Sequence, residues 1–369
     1  MKKIIYTFAI IASANLLQAQ SWSELGGLNG LKVDRSIFSI CSDASGNIYA
    51  GGDFTDSSGK YYIAKYNGSA WSELGGLNGL AANGQISSVC SDAFGNIYAA
   101  GVFKNNSGNC YVAKYNGSTW SELGGVNGLS ANSYISSICS DALGNIYAVG
   151  LFTNSSRKYY VAKYNGSAWS ELGGLNGLAA NGQISSVCSD ALGNIYTAGR
   201  FKNSSRKYYV AKYNGSAWSE LVGLNGLAAN GQISSVCSDA LGNIYATGVF
   251  TNTSGNCYVA INNGSTWSEL GGLNGLAANG QISSVCSDAS GSIYAGGGFS
   301  NSSGKACVVK YIGSTWSELG GQNGLTISGS IFSVCSDASG NIYAAGNFDN
   351  SSGFHYVAKY AAVSATTGQ

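Results

Sequence analysis

Carboxylate, thiol and amide side chains recur through the 369 residues at a fixed interval of forty-nine. One carboxylate set is Asp43, Asp92, Asp141, Asp190, Asp239, Asp288 and Asp337; a second is Glu24, Glu73, Glu122, Glu171, Glu220, Glu269 and Glu318. Cys41, Cys90, Cys139, Cys188, Cys237, Cys286 and Cys335 keep the same step. Paired carboxylates serve general acid–base chemistry, and thiolates serve nucleophilic attack or soft-metal binding. Repetition argues against catalysis here, because a catalytic centre needs a few residues unlike their equivalents. Fourteen of the eighteen acids sit at repeat positions, the Asp set at turn starts and the Glu set in strands facing Tyr. Structural roles follow for both. Asp34, Asp53, Asp56 and Asp349 break the pattern. The single His355 replaces Tyr61, Cys110, Tyr159, Tyr208, Cys257 and Ala306 of the other units, which points to a core or rim role. Nothing indicates a Ser-His-Asp or two-carboxylate mechanism.

Ten cysteines invite a disulfide reading. Seven share one inner-strand position, and packed sheets lie about 10 Å apart. A disulfide needs Cα atoms within about 7 Å. The seven are therefore expected as small buried hydrophobes. Cys110 and Cys257 lie three units apart, while Cys257 and Cys307 lie in adjacent units one position out of step. No Cys-x-x-Cys spacing marks a zinc site, and no metal or other cofactor is expected.

The elements that position these residues follow from the repeat itself, which must be read before anything local. In the unit Trp71 to Thr119, Ile86-Ser-Ser-Val-Cys-Ser91 alternates as a strand. Asp92-Ala-Phe-Gly-Asn96 makes a turn with Gly where a positive φ is needed. Asn96 to Ala100 is a second strand, Phe103 to Asn109 a polar loop, and Cys110 to Tyr115 a third strand. Asn116-Gly117 signals a hairpin into a fourth strand, Ser118 to Leu123. Four antiparallel strands per unit, without helix signals, describe a propeller blade. One blade cannot bury both faces alone, so the units stack. The expected fold is all-β: a seven-bladed β-propeller of four-stranded antiparallel blades.

Counting from a two-residue Asn67-Gly68 turn sets Trp71 opposite Ala64 and Glu73 opposite Tyr62. The same count gives Ala113 to Trp120, Ala162 to Trp169, Ala211 to Trp218, Ala260 to Trp267 and Val309 to Trp316, a small residue facing each indole, with Glu318 opposite Cys307. The Asn-Gly-Ser sequences read first as turn chemistry.

Met1-Lys-Lys3, the apolar run Ile4 to Leu17 and Ala19 form a secretory signal pattern, so residues 1–19 are set aside from the fold. Residues 20–360 form the single propeller domain, and 361–369 a tail. The domain opens with a fourth strand at Trp22 and ends with a third strand at Tyr360. Blade seven is thus expected to close as three C-terminal strands plus one N-terminal strand, with Ala358 facing Trp22. The expected location is secreted, periplasmic or cell-surface, with no membrane span and a monomeric state.

With 19 basic and 18 acidic residues, the charge balance excludes nucleic acid as an expected partner. Absence of Pro and the presence of 54 Gly suit a sheet protein with Gly/Asn turns.

Asp92-x-x-Gly95-Asn96-Ile97-Tyr98 and its copies, with Ser292 for Asn in blade six, resemble the signature of secreted bacterial β-propeller repeats. The Trp-Ser-Glu-Leu-Gly segment is similar to tachylectin-like and kelch-like blades. It departs from kelch in placing Gly75-Gly76 after the Trp strand, and from the sialidase Asp box by one extra residue before the Gly. The resemblance implies architecture, while propellers host many unrelated activities.

Topology puts the loop from strand two to three and the connection from strand four to the next strand one on the same face. That face carries the candidate binding residues Asn83 and Gln85, repeated as Asn181 and Gln183, Asn230 and Gln232, and Asn279 and Gln281. Blades one, three and seven carry different text there: Lys32-Val-Asp-Arg35, Ser130 to Tyr134, and Thr326 to Gly329. Asp53 and Asp56 of blade one, with Asp349 of blade seven, form a candidate acidic patch for a cation or amine. The expected function is a non-enzymatic multivalent binding module for glycan or protein. A structural or adhesion scaffold for one protein partner is the alternative, and a propeller hydrolase or lyase comes third.

Overall fold

The computed structural model describes residues 20–362 except 326, so the signal-segment reading, Thr326 and residues 363–369 lie outside the described residues. Seven four-stranded antiparallel sheets make the ring. In blade two the strands are Ile86–Ser91, Ile97–Gly101, Ala113–Tyr115 and Trp120–Glu122, from the central channel outward. Every residue of Ile97–Gly101 is buried, because the second strand is covered by a neighbouring blade on each side. The core is seven such interfaces. Tyr49, Ile63 and Leu74 of blade one, for example, pack on Ile86, Val89, Ile97 and Phe103 of blade two. The fully buried Phe103 meets Tyr111 edge-on at 4.9 Å between ring centroids. Such contacts add about 0.5–1.5 kcal/mol beyond burial.

Closure occurs as the sequence predicts. Trp22–Glu24 pairs antiparallel with Ala358–Tyr360 and completes blade seven. The Trp22 indole donates to the Leu319 carbonyl at 2.9 Å, and Leu25 is buried between blades seven and one. Two belts of hydrogen bonds also tie the inner strands around the channel. In one, each blade's serine hydroxyl accepts from the next blade's backbone, as in Val89 N–H to Ser39 Oγ at 3.1 Å. In the other, each serine donates to the preceding blade's serine carbonyl, as in Ser91 to Ser42 at 2.8 Å. Both belts pass through all seven blades and across the seam.

The outer hairpin register differs from the expectation. Trp71 pairs with Tyr66 and Glu73 with Ala64; in the closing strand pair Trp22 pairs with Tyr360 and Glu24 with Ala358. The turn holds four residues, not two, because Asn67 Oδ1 accepts from the Ser69 and Ala70 amides at 3.0 Å each and so gathers the loop beneath its own side chain. The other Trp strands have the same register: Trp120 faces Tyr115, Trp169 Tyr164, Trp218 Tyr213, Trp267 Asn262 and Trp316 Tyr311, the last across a two-residue Gly313-Ser314 turn because Ile312 replaces the Asn. In every blade but the fifth the indole therefore leans on an aromatic ring, 5.5 Å away for Tyr66 and Trp71, where the expectation placed a small residue. Glu318 faces Val309 rather than Cys307.

A second feature is absent from the sequence reading. A 3-10 turn follows each fourth strand, Gly76–Asn78 in the first copy. Gly75 sits there at φ 94°, and a Cβ on it would meet the Asn78 carbonyl oxygen at 2.8 Å. The Gly-Gly-Leu-Asn-Gly text carries that signal. Val222 occupies the equivalent place after blade four at φ 70°, a strained conformation for a β-branched residue. Its effect reaches the next blade. Trp71, Trp120, Trp169, Trp218 and Trp316 each donate to the carbonyl before this turn, but the buried Trp267 Nε1 has no partner.

All ten cysteines are free thiols. Cys257 and Cys307 belong to the same core between blades five and six. Burial pushes Cys188, Cys286 and Cys307 up to about 12, assisted by Asp190, Asp288 and Glu318. Low thiolate content makes them poor nucleophiles.

Candidate functional site

The two faces of the ring use their polar residues differently. On the lower face each Asp turn closes on itself. Asp92 Oδ1 accepts from the Phe94 and Asn96 amides, both at 2.9 Å, while Oδ2 accepts from Asn96 Nδ2 at 2.7 Å and the Tyr98 hydroxyl at 2.9 Å. Burial raises the carboxyl pKa of Asp43, but hydrogen bonds from Asn47, Tyr49 and two amides outweigh it and hold the group below its ordinary range. Burial first, then the bond to Asp43, pushes the Tyr49 phenol far above its ordinary range. These carboxylates have no free lone pair to offer a substrate.

On the upper face the same turn is built with a neutral residue. Asn105 Oδ1 accepts from the Ser107 and Asn109 amides at 3.1 Å, and its Nδ2 donates to Glu122 at 3.0 Å. Asn154, Asn203, Asn252, Asn301 and Asn350 repeat this arrangement toward Glu171, Glu220, Glu269, Glu318 and Glu24. This is the role of the Glu set. Blade one departs: Asp56 takes the Asn position, so two carboxylates face each other. Burial, then Asp56, raises the Glu73 pKa.

The expected amide residues divide into two groups. Asn83 clips the loop of its own blade, donating to the Lys104 carbonyl at 3.0 Å and accepting from its amide at 2.8 Å. Asn181 clips Lys202 and Asn230 clips Thr251 in the same way, while Asn279 accepts from the Ser300 amide and donates to its hydroxyl. Asn132 does so in blade three, where the text differs. The glutamines instead stand beside the channel mouth and reach the preceding blade: Gln85 to Asp53 at 2.7 Å, Gln183 to Ser136 and Gln281 to Ser234 at 3.2 Å. Gln232 holds the equivalent place in blade five.

The three expected acids go to three places. Asp53 lies at the mouth, paired with Arg35 at 3.4 Å and with Gln85. Asp56 lies beside Glu73 and Tyr62. Asp349 borders a hollow of blade seven with Glu24, Asn350 and Tyr356. No group of three metal-ligating side chains forms among the described residues. His355 joins Asn347 Oδ1 through Nε2 at 3.0 Å, and its Nδ1 is buried without a partner.

Concave surface occurs at the rim, between blades. In blade three the hollow is lined by Trp169, Tyr160, Glu171 and Asn154, with Gly128 and Leu129 from the preceding connection. Blade two repeats Trp120, Tyr111 and Glu122 against Gly79 and Leu80, and blade seven repeats Trp22, Tyr356, Glu24 and Asn350 against Gly324 and Leu325. Burial and then Glu171 push the Tyr160 phenol up to about 12, so it is a hydrogen-bond donor at any physiological pH. An aromatic wall, a phenol and a carboxylate are thus grouped at equivalent places, with a primary amide beside them in blades three and seven. The corrected hairpin register is what puts each Glu against its loop Asn.

The fold and these sites define a seven-bladed β-propeller. No known protein family matches the chain, and no curated relative does. Solved structures match over nearly all of it. The extracellular domain of a putative hybrid two-component system from B. thetaiotaomicron is 13% identical with a TM-score of 0.63, over 93% of this chain and 41% of that one. YCF48 bound to D1 peptide is 11% identical with a TM-score of 0.61, over 96% and 99%. A catalytically inactive virginiamycin B lyase from Staphylococcus aureus, with quinupristin, is 12% identical with a TM-score of 0.61, over 93% and 99%. At these identities the likeness is one of fold. No helix among the described residues is long and apolar enough to cross a membrane.

Proposed function

We propose that the protein is a non-enzymatic, multivalent binding module whose ligand is a glycan held in the rim hollows of the upper face. The observation that carries this reading is the recurrence of one Trp, Tyr and Glu grouping in blades two, three and seven, with the loop Asn lining the same hollow in blades three and seven. Aromatic faces cover the apolar side of a sugar ring, while carboxylate and amide groups bind its hydroxyls. Weak equivalent sites on one rigid ring gain about 10²–10⁴-fold when a multivalent ligand engages several together. The absence of catalysis is part of the proposal, supported by lower-face Asp carboxylates saturated with structural hydrogen bonds. Export to the outside of the cell is also part of it, in keeping with the extracellular neighbour.

A second reading is a scaffold contacting one protein through the same face, favoured by the peptide-bound YCF48 neighbour. Titration calorimetry with a neutral oligosaccharide selected on a glycan array separates them. Several equivalents per chain, with one lost in Trp169→Ala, support the rim sites. One equivalent, or binding indifferent to Trp169→Ala and Tyr160→Ala, points to the protein contact.

A further inference from the structure

The loops between strands two and three share one turn, begun by Asn105 and its equivalents, and the fourth residue of that turn lies at positive φ throughout. Gly59, Gly108, Gly255, Gly304 and Gly353 hold it at φ 71–81°. Blades three and four hold it with Arg157 at φ 58° and Arg206 at φ 59°. Arginine in this region is strained, since its Cβ crowds the carbonyl that glycine avoids. Both arginines are followed by lysine, in the twice-written text Ser-Ser-Arg-Lys.

Other cations join them. Arg200 stands at the channel end of blade four, and Lys202 lies between it and the tip, its ammonium 4.5 Å from the Tyr208 ring centroid. Arg157, Lys158, Arg200, Lys202, Arg206 and Lys207 are all exposed. None is in an ion pair; among the described residues Arg35–Asp53 is the one pair within 4 Å. Glu171 and Glu220, the carboxylates of these blades on this face, are engaged by Asn154 and Asn203. Blades seven and one, across the ring, carry Asp349, Asp34, Asp53 and Asp56, which in blade one outweigh Lys32, Arg35 and Lys60 once Glu73 is counted. The upper face is therefore polarised, with its positive pole on two adjacent blades.

We propose that this sector binds a linear anionic glycan, one bearing carboxylate or sulfate groups at regular intervals along the chain. The two loops are the same cationic finger repeated one blade apart, a spacing suited to a polymer whose charge also repeats. The flanking residues are serines; the lysine recurs as Lys60 and Lys305 in blades one and six, and the arginine before it is what sets blades three and four apart. A folded protein partner needs a buried apolar anchor, which these loop tips do not supply. Strain retained at two glycine positions to install the arginines marks the sector as functional, not as random surface variation. The inference rests on the binding-module reading for its ligand class, but it uses a different surface from the rim hollows.

The test is binding of the full chain to size-fractionated polygalacturonate, to a sulfated glycan, to a neutral glucan of equal length and to polyglutamate. The comparison variant is Arg157→Gly, Lys158→Asn, Arg206→Gly and Lys207→Asn combined, which restores residues other blades already carry. Expected are binding of one or both anionic glycans over the glucan, weakening by about tenfold from about 50 to about 300 mM salt, and a further loss of about tenfold in the variant. The variant's Tm should stay level or rise, which excludes misfolding as the cause. Failure of both anionic glycans to bind at low salt would overturn the proposal. So would equal binding by wild type and variant, or polyglutamate binding as tightly as the glycans, which would assign the sector to an acidic protein. Trp169→Ala is run alongside: loss of neutral-sugar binding with the anionic response intact shows the two surfaces succeeding or failing separately.

Discussion

The lower-face Asp turn and the upper-face Asn turn use nearly the same backbone hydrogen bonds for opposite ends. Below, a carboxylate accepts from two amides, a side-chain amide or hydroxyl and a phenol, and the tip is locked inside its own blade. Above, the Asn oxygen fixes the loop while its nitrogen reaches a strand-four glutamate, and the tip residues stay free to vary. The difference teaches that turn chemistry can be held constant while the surface displayed on it changes. Arg157 and Arg206 are such changes, as is Phe354.

The largest break is to remove the frame that both faces share. Deleting residues 20–25 removes the closing strand, the Trp22–Leu319 bond and buried Leu25. Lost burial and pairing amount to about 5 kcal/mol or more, so a fall of about 10 °C or more in Tm is expected by calorimetry. A fall of a degree or two would mean that closure is built differently.

Alkali should reach the lower face and core first. Folded-state pKa values of Tyr49 and its equivalents are raised by burial and by bonds to Asp, and those of the thiols by burial. Groups raised in the folded state stabilise fully below their unfolded pKa, and that stability is lost as pH rises through the folded value. Denaturant midpoints should hold to about pH 8.5, the ordinary thiol value, and fall as pH climbs toward about 12, where Cys188 titrates.

Single changes on the two faces should be unequal. Asp92→Ala leaves buried donors without an acceptor and should destabilise by about 2–4 kcal/mol. Asn83→Ala exposes its partners to water and should cost about 1 kcal/mol or less. Equal effects in urea melts would erase the distinction between saturated and adaptable turns.

Relief of strain comes next. Val222→Gly should stabilise by about 1 kcal/mol and restore an indole bond from Trp267 to the Leu221 carbonyl, visible as a shift of its N–H resonance. The smallest effect is expected in blade one. Asp56→Asn recreates the Asn–Glu bond of the other blades and removes the charge that raises Glu73. A raised carboxyl pKa favours folding at low pH and disfavours it as pH passes the carboxylate range. The variant should thus gain a degree or two of Tm at pH 7 and nothing near pH 3.

The fold was legible because forty-nine-residue spacing and alternating strands leave few alternatives, and the unpaired ends at Trp22 and Tyr360 announce the seam. The outer register was not, because Asn67-Gly68 reads as a two-residue turn unless the Asn oxygen is known to capture two further amides. Candidate site residues were legible by face but not by partner: Asn83 clips Lys104 and Gln85 reaches Asp53 across contacts that no local spacing encodes. Val222 and the two arginines stood plainly in the text. Their meaning waited for backbone angles.

The paired serine belts have a mechanical consequence. Each works as a hoop, in which tension on one blade is shared round the circumference instead of ending at a free edge. An open stack of repeats frays from its ends; a hooped one has none while the seam holds. Force applied to a ligand on one blade would therefore be resisted by the whole ring, and failure should come in a single step at the strand that joins the two ends of the chain.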